Sequence, residues 1–200
     1  LFAIAALAFI GIFFFKIDFP WIVLAAAVIG AIGGKLVPAK FKGGGGHGAA
    51  NKQYGPALID DDTPPPAHAV FSWGKLVAKV TVFGMIWIVA MLAIGGQQTL
   101  VDMGEFFTKA AFLTIGGAYA VLPYVYQGAV EHHNWLTGAQ MMDGLALGET
   151  TPGPLIMVVT WVGYMGGVAK QVFPDPVAAG LAGAAVVTFF TFLPSFLFIL

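Results

Sequence analysis

A carboxylate and two hydroxyl groups lie beside closely spaced prolines in an otherwise apolar stretch. Residues 144–157 read GLALGETTPGPLIM, with Glu149 followed by Thr150 and Thr151. Thr151 is a suitable N-cap and Pro152 suits the first helical position, so the pattern predicts a helix that begins here. Because the flanking residues are apolar, we expect this helix start to lie inside a bilayer. Its free N–H groups and positive dipole end would then favour an anion.

A second irregularity interrupts the apolar segment 106–127. Gly116 and Gly117 permit a helix to unwind, and Pro123 frees the carbonyl of Tyr119, four residues earlier. This segment is therefore a second candidate for a broken helix. For the first break, the alternative is a proline-kinked spanning helix whose freed backbone groups bond to neighbouring helices.

Both segments contain few charged residues, so each charged side chain there is a candidate for function. Lys109 lies in the apolar segment 106–127. A lysine there either extends its stem to the membrane interface or attracts anions, and the sequence leaves both roles open. Asp143 precedes Glu149 on the apolar approach to the first break.

The composition is that of an integral membrane protein. Of 200 residues, 58% are hydrophobic and only 10% are charged, whereas about a quarter are charged in soluble domains. All nine basic residues are lysines, against ten acidic residues, which argues against a nucleic-acid partner. The absence of cysteine excludes disulfides, Cys-ligated zinc and iron–sulfur clusters. No cofactor is indicated.

Hydropathy predicts an all-α, polytopic helix bundle in three parts. Residues 1–36 form a transmembrane hairpin, residues 37–69 a flexible linker and residues 70–200 a second membrane unit. Six of the nine lysines flank or lie in the linker, so the positive-inside rule places it in the cytoplasm. The sequence starts without Met and ends in an apolar run, and we expect it to be part of a longer protein.

The second membrane unit is predicted to consist of helices joined by short loops. We expect a spanning helix over residues 76–96, a short periplasmic loop over 97–105, a polar aqueous loop over 131–137 and an uncharged spanning run over 177–200. Thr137 and Gln140 have the spacing of a capping box.

A metal-dependent hydrolase inside the membrane is the enzymatic alternative. It would use His132, His133, Asp143 and Glu149, but the sequence contains no HExxH pattern. Adjacent histidines also point in different directions on a helix. We therefore expect neither a metal site nor an enzyme.

Three motifs resemble the chromate ion transporter family in order and spacing. They are FLTIGGAYAVLP at residues 112–123, WLT at 135–137 and DGLALGETTPGPLIM at 143–157. The resemblance covers about residues 106–167 and is closest to the second of the family's two homologous halves. It implies a multi-pass protein of the bacterial inner membrane that exports chromate, with sulfate as the isosteric competitor.

The resemblance also implies the partners of this chain within the membrane. Residues 1–36 would end the first half of the transporter, and residues 37–69 would link the halves. The second half would then act together with the first half of the same transporter. Assembly of two such transporters as a homodimer is left open, and the lipid bilayer surrounds the whole protein.

A tetrahedral oxyanion is predicted to bind between the two broken segments, as in transporters built from internal repeats. The substrate-binding candidates are Lys109, Gly116, Gly117, Ala118, Tyr119, Thr150, Thr151, Pro152 and Gly153, and the coupling candidates are Glu149 and Asp143. A carboxylate in apolar surroundings near a dianion takes up a proton readily, which would couple transport to protons. Alternatively, Glu149 stays ionised and stabilises the helix start. A passive anion channel is the alternative to a carrier.

Overall fold

The computed structural model describes residues 2–36, 72–114, 118–151 and 153–199, and every regular element in these ranges is a helix. The predicted all-α membrane fold is therefore confirmed. The chain divides into two compact units, one of residues 1–17 and 21–76 and the other of residues 18–20 and 77–200. Three of the described helices are long and apolar enough to cross a membrane.

The first unit contains two helices, α1 (Phe2–Phe13) and α2 (Phe19–Leu36). They pack closely, since a Cβ atom added at Gly11 would lie 3.0 Å from Ile22 Cδ1. α2 is one of the three helices with the length and hydropathy of a membrane span. The predicted linker, residues 37–69, lies outside the described residues.

The second unit contains most of α3 and all of the later helices. In chain order they are α3 (Trp73–Ile94), α4 (Gln98–Leu113), a 3₁₀ turn (Ala118–Val121), α5 (Leu122–Tyr126), a π-helical turn (Gln127–His132), α6 (Gly138–Glu149), α7 (Pro154–Ala169) and α8 (Pro176–Ile199). α3 and α8 have 22 and 24 residues, enough to cross a hydrocarbon core of about 30 Å. α4, α6 and α7 have 16, 12 and 16 residues, which gives them lengths of only about 24, 18 and 24 Å.

α6 and α7 form an antiparallel hairpin. The indole Nε1 of Trp161, in the middle of α7, donates a hydrogen bond to the carbonyl of Gln140 near the start of α6, at 2.9 Å. Gly144 faces the same indole so closely that any side chain there would clash with it. The turn of this hairpin is therefore the predicted break, which ends with Gly153.

α4 and the segment 118–132 form a second hairpin. The ring of Phe106 on α4 stacks on Tyr124, with 4.7 Å between centroids, and Gly128 lies directly against the ring of Phe106. The segment after the second break thus returns alongside α4. Residues 115–117, at the turn between the two arms, lie outside the described residues.

Both hairpins open at the same end of the unit, which we call the mouth. Gln97, just before α4, shares a cavity of about 560 Å³ with Gln171 and Pro176, which lie between α7 and α8. Trp135, between the two hairpins, packs against Gly166 near the end of α7. The two turns therefore lie well away from the mouth, at a distance set by the lengths of α4 and α6.

Small residues allow α7 and α8 to pack without space between their backbones. A Cβ atom at Gly163 would lie 2.5 Å from the carbonyl oxygen of Gly183. The hydroxyls of Thr160 and Thr188 are hydrogen-bonded between the same helices at 2.9 Å. Close backbone approach and polar contacts of this kind hold helices together where lipid provides no hydrophobic driving force.

The predicted loop over residues 97–105 is wrong, because α4 already begins at Gln98. Gln98 donates a hydrogen bond to Asp102 at 2.8 Å, so these polar residues lie on one exposed helix face. Met103 and Phe107 are fully buried on the opposite face. The stretch is an amphipathic helix, and its polar face was mistaken for a loop.

The polar loop predicted over residues 131–137 is also only partly correct. His132 ends a π-helical turn, and Trp135 is 1% exposed, so this tryptophan is a core residue rather than an interface anchor. The predicted capping box is confirmed: Thr137 Oγ1 accepts from the backbone N–H of Gln140 at 3.3 Å, and Gln140 Oε1 accepts from that of Thr137 at 2.8 Å.

Substitution of Gly163 by Ala should destabilise the second unit by about 1–3 kcal/mol, as overpacking commonly does. The added methyl group would push α7 away from α8 at Gly183. Thermal unfolding of the purified protein in detergent would measure the effect. Gly84→Ala on α3 is the matched control, because no atom lies within 4 Å of an added Cβ there. Equal melting temperatures for the two variants would contradict the tight contact.

Candidate functional site

The turn of the α6–α7 hairpin begins with the end of α6 at Glu149. The hydroxyl of Thr150 donates to the carbonyl of Leu147 at 2.8 Å, and that of Thr151 to the carbonyl of Gly148 at 3.0 Å. The backbone N–H groups of both threonines also donate to these two carbonyls. Thr150 and Thr151 therefore close α6, whose carbonyl end is the negative end of the helix dipole.

α7 begins after Gly153, so the prediction of Thr151 as its N-cap is wrong. Gly153 is the N-cap, with a φ of 78°, and Pro154 is the first helical residue. A residue before proline avoids the α-helical region, and glycine adopts a positive φ at little cost. The predicted first helical residue, Pro152, lies outside the described residues. The helix break itself is found at the predicted position.

The other hairpin turn follows the end of α4 at Leu113. There Thr114 Oγ1 donates to the carbonyl of Ala110 at 2.7 Å. Ala118 and Tyr119 lie in the 3₁₀ turn that starts the returning arm. Two candidate residues, Gly116 and Gly117, lie outside the described residues.

The two hairpin turns meet through one side-chain contact. The hydroxyl of Tyr119 donates a hydrogen bond to Glu149 Oε1 at 3.3 Å. Both residues are exposed on the described part of the unit, and Tyr119 is 54% exposed. Sequence reasoning singled out Tyr119 for its carbonyl and Glu149 for its charge, but it missed their contact. No spacing rule connects residues 30 positions apart.

The remaining charged candidates lie on exposed helix faces. Lys109 Nζ is 3.7 Å from Glu105 Oε2, one turn earlier on α4, and both side chains are more than half exposed. Asp143 is exposed on α6, about 9 Å along the helix axis from Glu149. Neither lies in the contact between the two turns.

The residues of the hydrolase alternative do not come together. His132 Nε2 is 3.5 Å from Asp18 Oδ1, whereas His133 stacks on Trp135 with 4.4 Å between ring centroids. Among the described residues, no group of three or more His, Cys, Asp or Glu side chains is placed to hold a metal ion.

A family model described as chromate transporter matches residues 101–200 of the chain. The matched half contains both hairpins, apart from the first three residues of α4, and the whole of α8. The chain belongs to the chromate transporter family. The resemblance seen in the three sequence motifs is thereby confirmed.

Three relatives within the chromate transporter family show how much of a longer protein is represented here. The chromate transport protein of Cupriavidus metallidurans is 36% identical over 99 residues, which are 50% of this chain and 22% of that protein. That of Pseudomonas aeruginosa is 36% identical over 132 residues, 66% of this chain and 26% of the relative. A probable chromate transport protein of Synechococcus elongatus is 28% identical over 135 residues, 66% and 30% of the two chains.

The chain thus spans less than a third of the length of each of these chromate transporter relatives. No solved structure matches the chain at a significant level.

His133, in the loop between the two hairpins, should make the stability of this member of the chromate transporter family depend on pH. Burial lowers the pKa of His133, and the nearby Lys170 and Lys109 lower it further, although Asp102 opposes them. The folded protein therefore binds this proton less readily than the unfolded chain, whose histidine pKa is about 6.5. The contribution of neutral His133 to the free energy of unfolding is therefore fully present above about pH 6.5. It decreases as the pH falls below that value, because the unfolded chain takes up the proton first.

Melting temperatures at a series of pH values from neutral to mildly acidic should show this decline, and His133→Gln should reduce it. His132→Gln is the matched control and should retain most of the decline, because burial, the largest cause of the lowered pKa of His133, is unchanged. The same decline in both variants would assign the pH dependence to other groups.

Proposed function

We propose that this chain is part of a secondary transporter that exports a tetrahedral oxyanion, chromate in the first instance and sulfate as a related anion. The observation that carries the proposal is the meeting of two hairpin turns through Tyr119 and Glu149, in a chain of the chromate transporter family. The relatives named above are called chromate transport proteins, and their name supports the same substrate.

The anion would bind where the start of α7 faces the other turn. The first N–H groups of a helix have no acceptor within the helix, and the dipole there is positive. Gly153 lets the backbone approach a ligand closely, because it carries no side chain. With no arginine in the sequence, backbone N–H groups and the ammonium of Lys109 would supply the donors. The hydroxyls of Thr150 and Thr151 would join them by leaving the carbonyls of Leu147 and Gly148.

Glu149 would couple anion movement to protons. An ionised Glu149 accepts a hydrogen bond from Tyr119, and a dianion arriving beside it would repel its charge. Uptake of a proton by Glu149 removes this repulsion. The alternative is that Glu149 remains ionised and holds the two turns together through Tyr119. Asp143, nearer to the mouth, would be a relay for the same proton.

The orientation follows from placing the linker, residues 37–69, in the cytoplasm. α3 then starts at the cytoplasmic side, and the mouth of both hairpins faces the periplasm. The protein would be a multi-pass component of a bacterial inner membrane without enzymatic activity. The exposed faces of α4 and α6 would be covered by the homologous first half of the transporter, and two transporters could pair as a homodimer.

Everted membrane vesicles that contain the natural full-length protein should accumulate chromate against its gradient when a proton gradient is imposed. Glu149→Gln should reduce uptake at least tenfold and flatten its pH dependence, because the group that exchanges the proton is lost. Tyr119→Phe should shift the pH dependence and retain uptake, because only the hydrogen bond to Glu149 is lost.

Glu131→Gln and Tyr126→Phe are the matched controls, since both residues are partly or fully exposed and lie outside the turns. Unchanged pH dependence in Glu149→Gln would exclude its role as proton carrier. Transport that never exceeds the external concentration would favour the passive channel.

A further inference from the structure

An ion pair lies on α4 between the mouth and the hairpin turns. Counted from Gln98 at the mouth, Glu105 and Lys109 lie about 11 and 17 Å along the helix. A hydrocarbon core is about 30 Å thick, so Lys109 is near its middle if the mouth lies at the interface. Nζ of Lys109 and Oε2 of Glu105 are 3.7 Å apart, and the two side chains are 62% and 54% exposed.

Charged groups at this depth are not expected to face lipid. Charged side chains within a membrane line water-filled cavities or face other protein, because hydrocarbon cannot solvate them. The same face of α4 carries Gln98 and Asp102, hydrogen-bonded to each other nearer the mouth. This polar face therefore runs along α4 from Gln98 at the mouth to Lys109, one turn before the end of the helix at Leu113.

Among the four described lysines after residue 72, only Lys109 lies within the hairpins. Lys75 and Lys79 are in the first two turns of α3, at the end remote from the mouth, and Lys170 follows the end of α7. An anion that moves along α4 between the turns and the mouth would pass this single ammonium group. In the present structure the carboxylate of Glu105 is paired with that ammonium group.

We propose that Glu105 is an internal counter-anion, which the transported oxyanion displaces from Lys109 and which then takes up a proton. The inference rests on the proposed function, since it requires an anionic substrate. It adds a residue and an order of events to the site: the ion pair opens, Lys109 binds the dianion and Glu105 is protonated.

The charge balance explains why the proton is needed. The closed pair has no net charge. With a dianion on Lys109 and Glu105 still ionised, the group would carry two negative charges, and one proton on the Glu105 carboxylate leaves only one. The pair is suited to such an exchange, because its distance is long for a charge-assisted hydrogen bond and partly exposed pairs are weak.

Other charged groups near this face modulate the exchange without replacing it. Asp102 lies on the same face of α4, and His133 and Lys170 approach from the adjoining loop and from the end of α7, where both Asp102 and Lys109 act on His133. With Glu105 they give two carboxylates, two lysines and one histidine. With a neutral histidine these charges sum to zero, and a bound dianion would bring the sum to two negative charges unless a proton is taken up.

Glu105→Gln removes the competitor for Lys109. The dissociation constant of chromate, measured by equilibrium dialysis of the purified full-length protein, should fall about fivefold, the lower end of ordinary coupling between two ligands. The dissociation constant should also vary less with pH, because glutamine cannot accept the proton. Lys109→Gln should weaken binding, and the double variant should bind no better than Lys109→Gln alone.

Asp102→Asn is the matched control, because it removes a carboxylate from the same helix face without touching the pair. Glu105→Asp shortens the side chain and should also tighten binding, but it should keep the pH dependence. If Glu105→Gln is not inserted into the membrane, the dissociation constant of Glu105→Asp provides the test of the counter-anion role. Equal dissociation constants for wild type and the Glu105 variants, or tighter binding in Asp102→Asn alone, would overturn the inference.

The experiments distinguish failure of the counter-anion role from failure of the proposed transport function. If the wild-type protein binds and transports chromate but the Glu105 variants match it, only the counter-anion role is excluded. If the wild type binds neither chromate nor sulfate, the proposed function fails and the inference fails with it.

Discussion

The structure depends on one constraint: a helix that ends inside hydrocarbon exposes backbone groups that lipid cannot satisfy. α4, α6 and α7 are too short to cross a membrane, so in the proposed transporter their inner ends would lie within the bilayer and would need partners from the protein itself. The threonines of the two turns donate to the last carbonyls of their own helices. Gly153 and Pro154 start α7 with a residue that bends freely and one that has no N–H. The carbonyl ends of α4 and α6 are thus closed locally, whereas the first N–H groups of α7 have no acceptor within that helix. The contact between Tyr119 and Glu149 joins the two turns.

Closing the helix ends in this way also sorts the charges of the site. The carbonyl end of α6 carries Glu149 and its two threonines, whereas the start of α7, four residues later, offers a positive dipole end. The two helix ends at this turn therefore carry opposite partial charges, as the proposed site for a dianion beside a carboxylate requires. The helices that span the membrane, α3 and α8, contribute packing to this arrangement, and the glycines of α7 and α8 bring their backbones into contact.

Membership of the chromate transporter family and the geometry of the hairpins inform different questions. The family relationship rests on residues 101–200 and favours an oxyanion as substrate. The geometry supports our proposal for the groups that would meet that anion. Lys109 and Glu105 form an ion pair on α4 between the mouth and the turns, and Glu149 lies at the turns. A path whose fixed charges are nearly balanced would let a dianion enter without holding it permanently.

Much of the local structure was determined by the sequence itself. Hydropathy identified the membrane helices, the Thr137–Gln140 spacing predicted the capping box, and the prolines located the break between α6 and α7, because each of these features depends on residues that are close in the chain. Tertiary structure alone decided that Trp135 is buried and that Tyr119 reaches Glu149. It also decided that Gln98, Asp102 and Glu105 share the polar face of one helix. These outcomes depend on which surfaces pack together, and a contact between residues 30 positions apart leaves no periodic trace in the sequence.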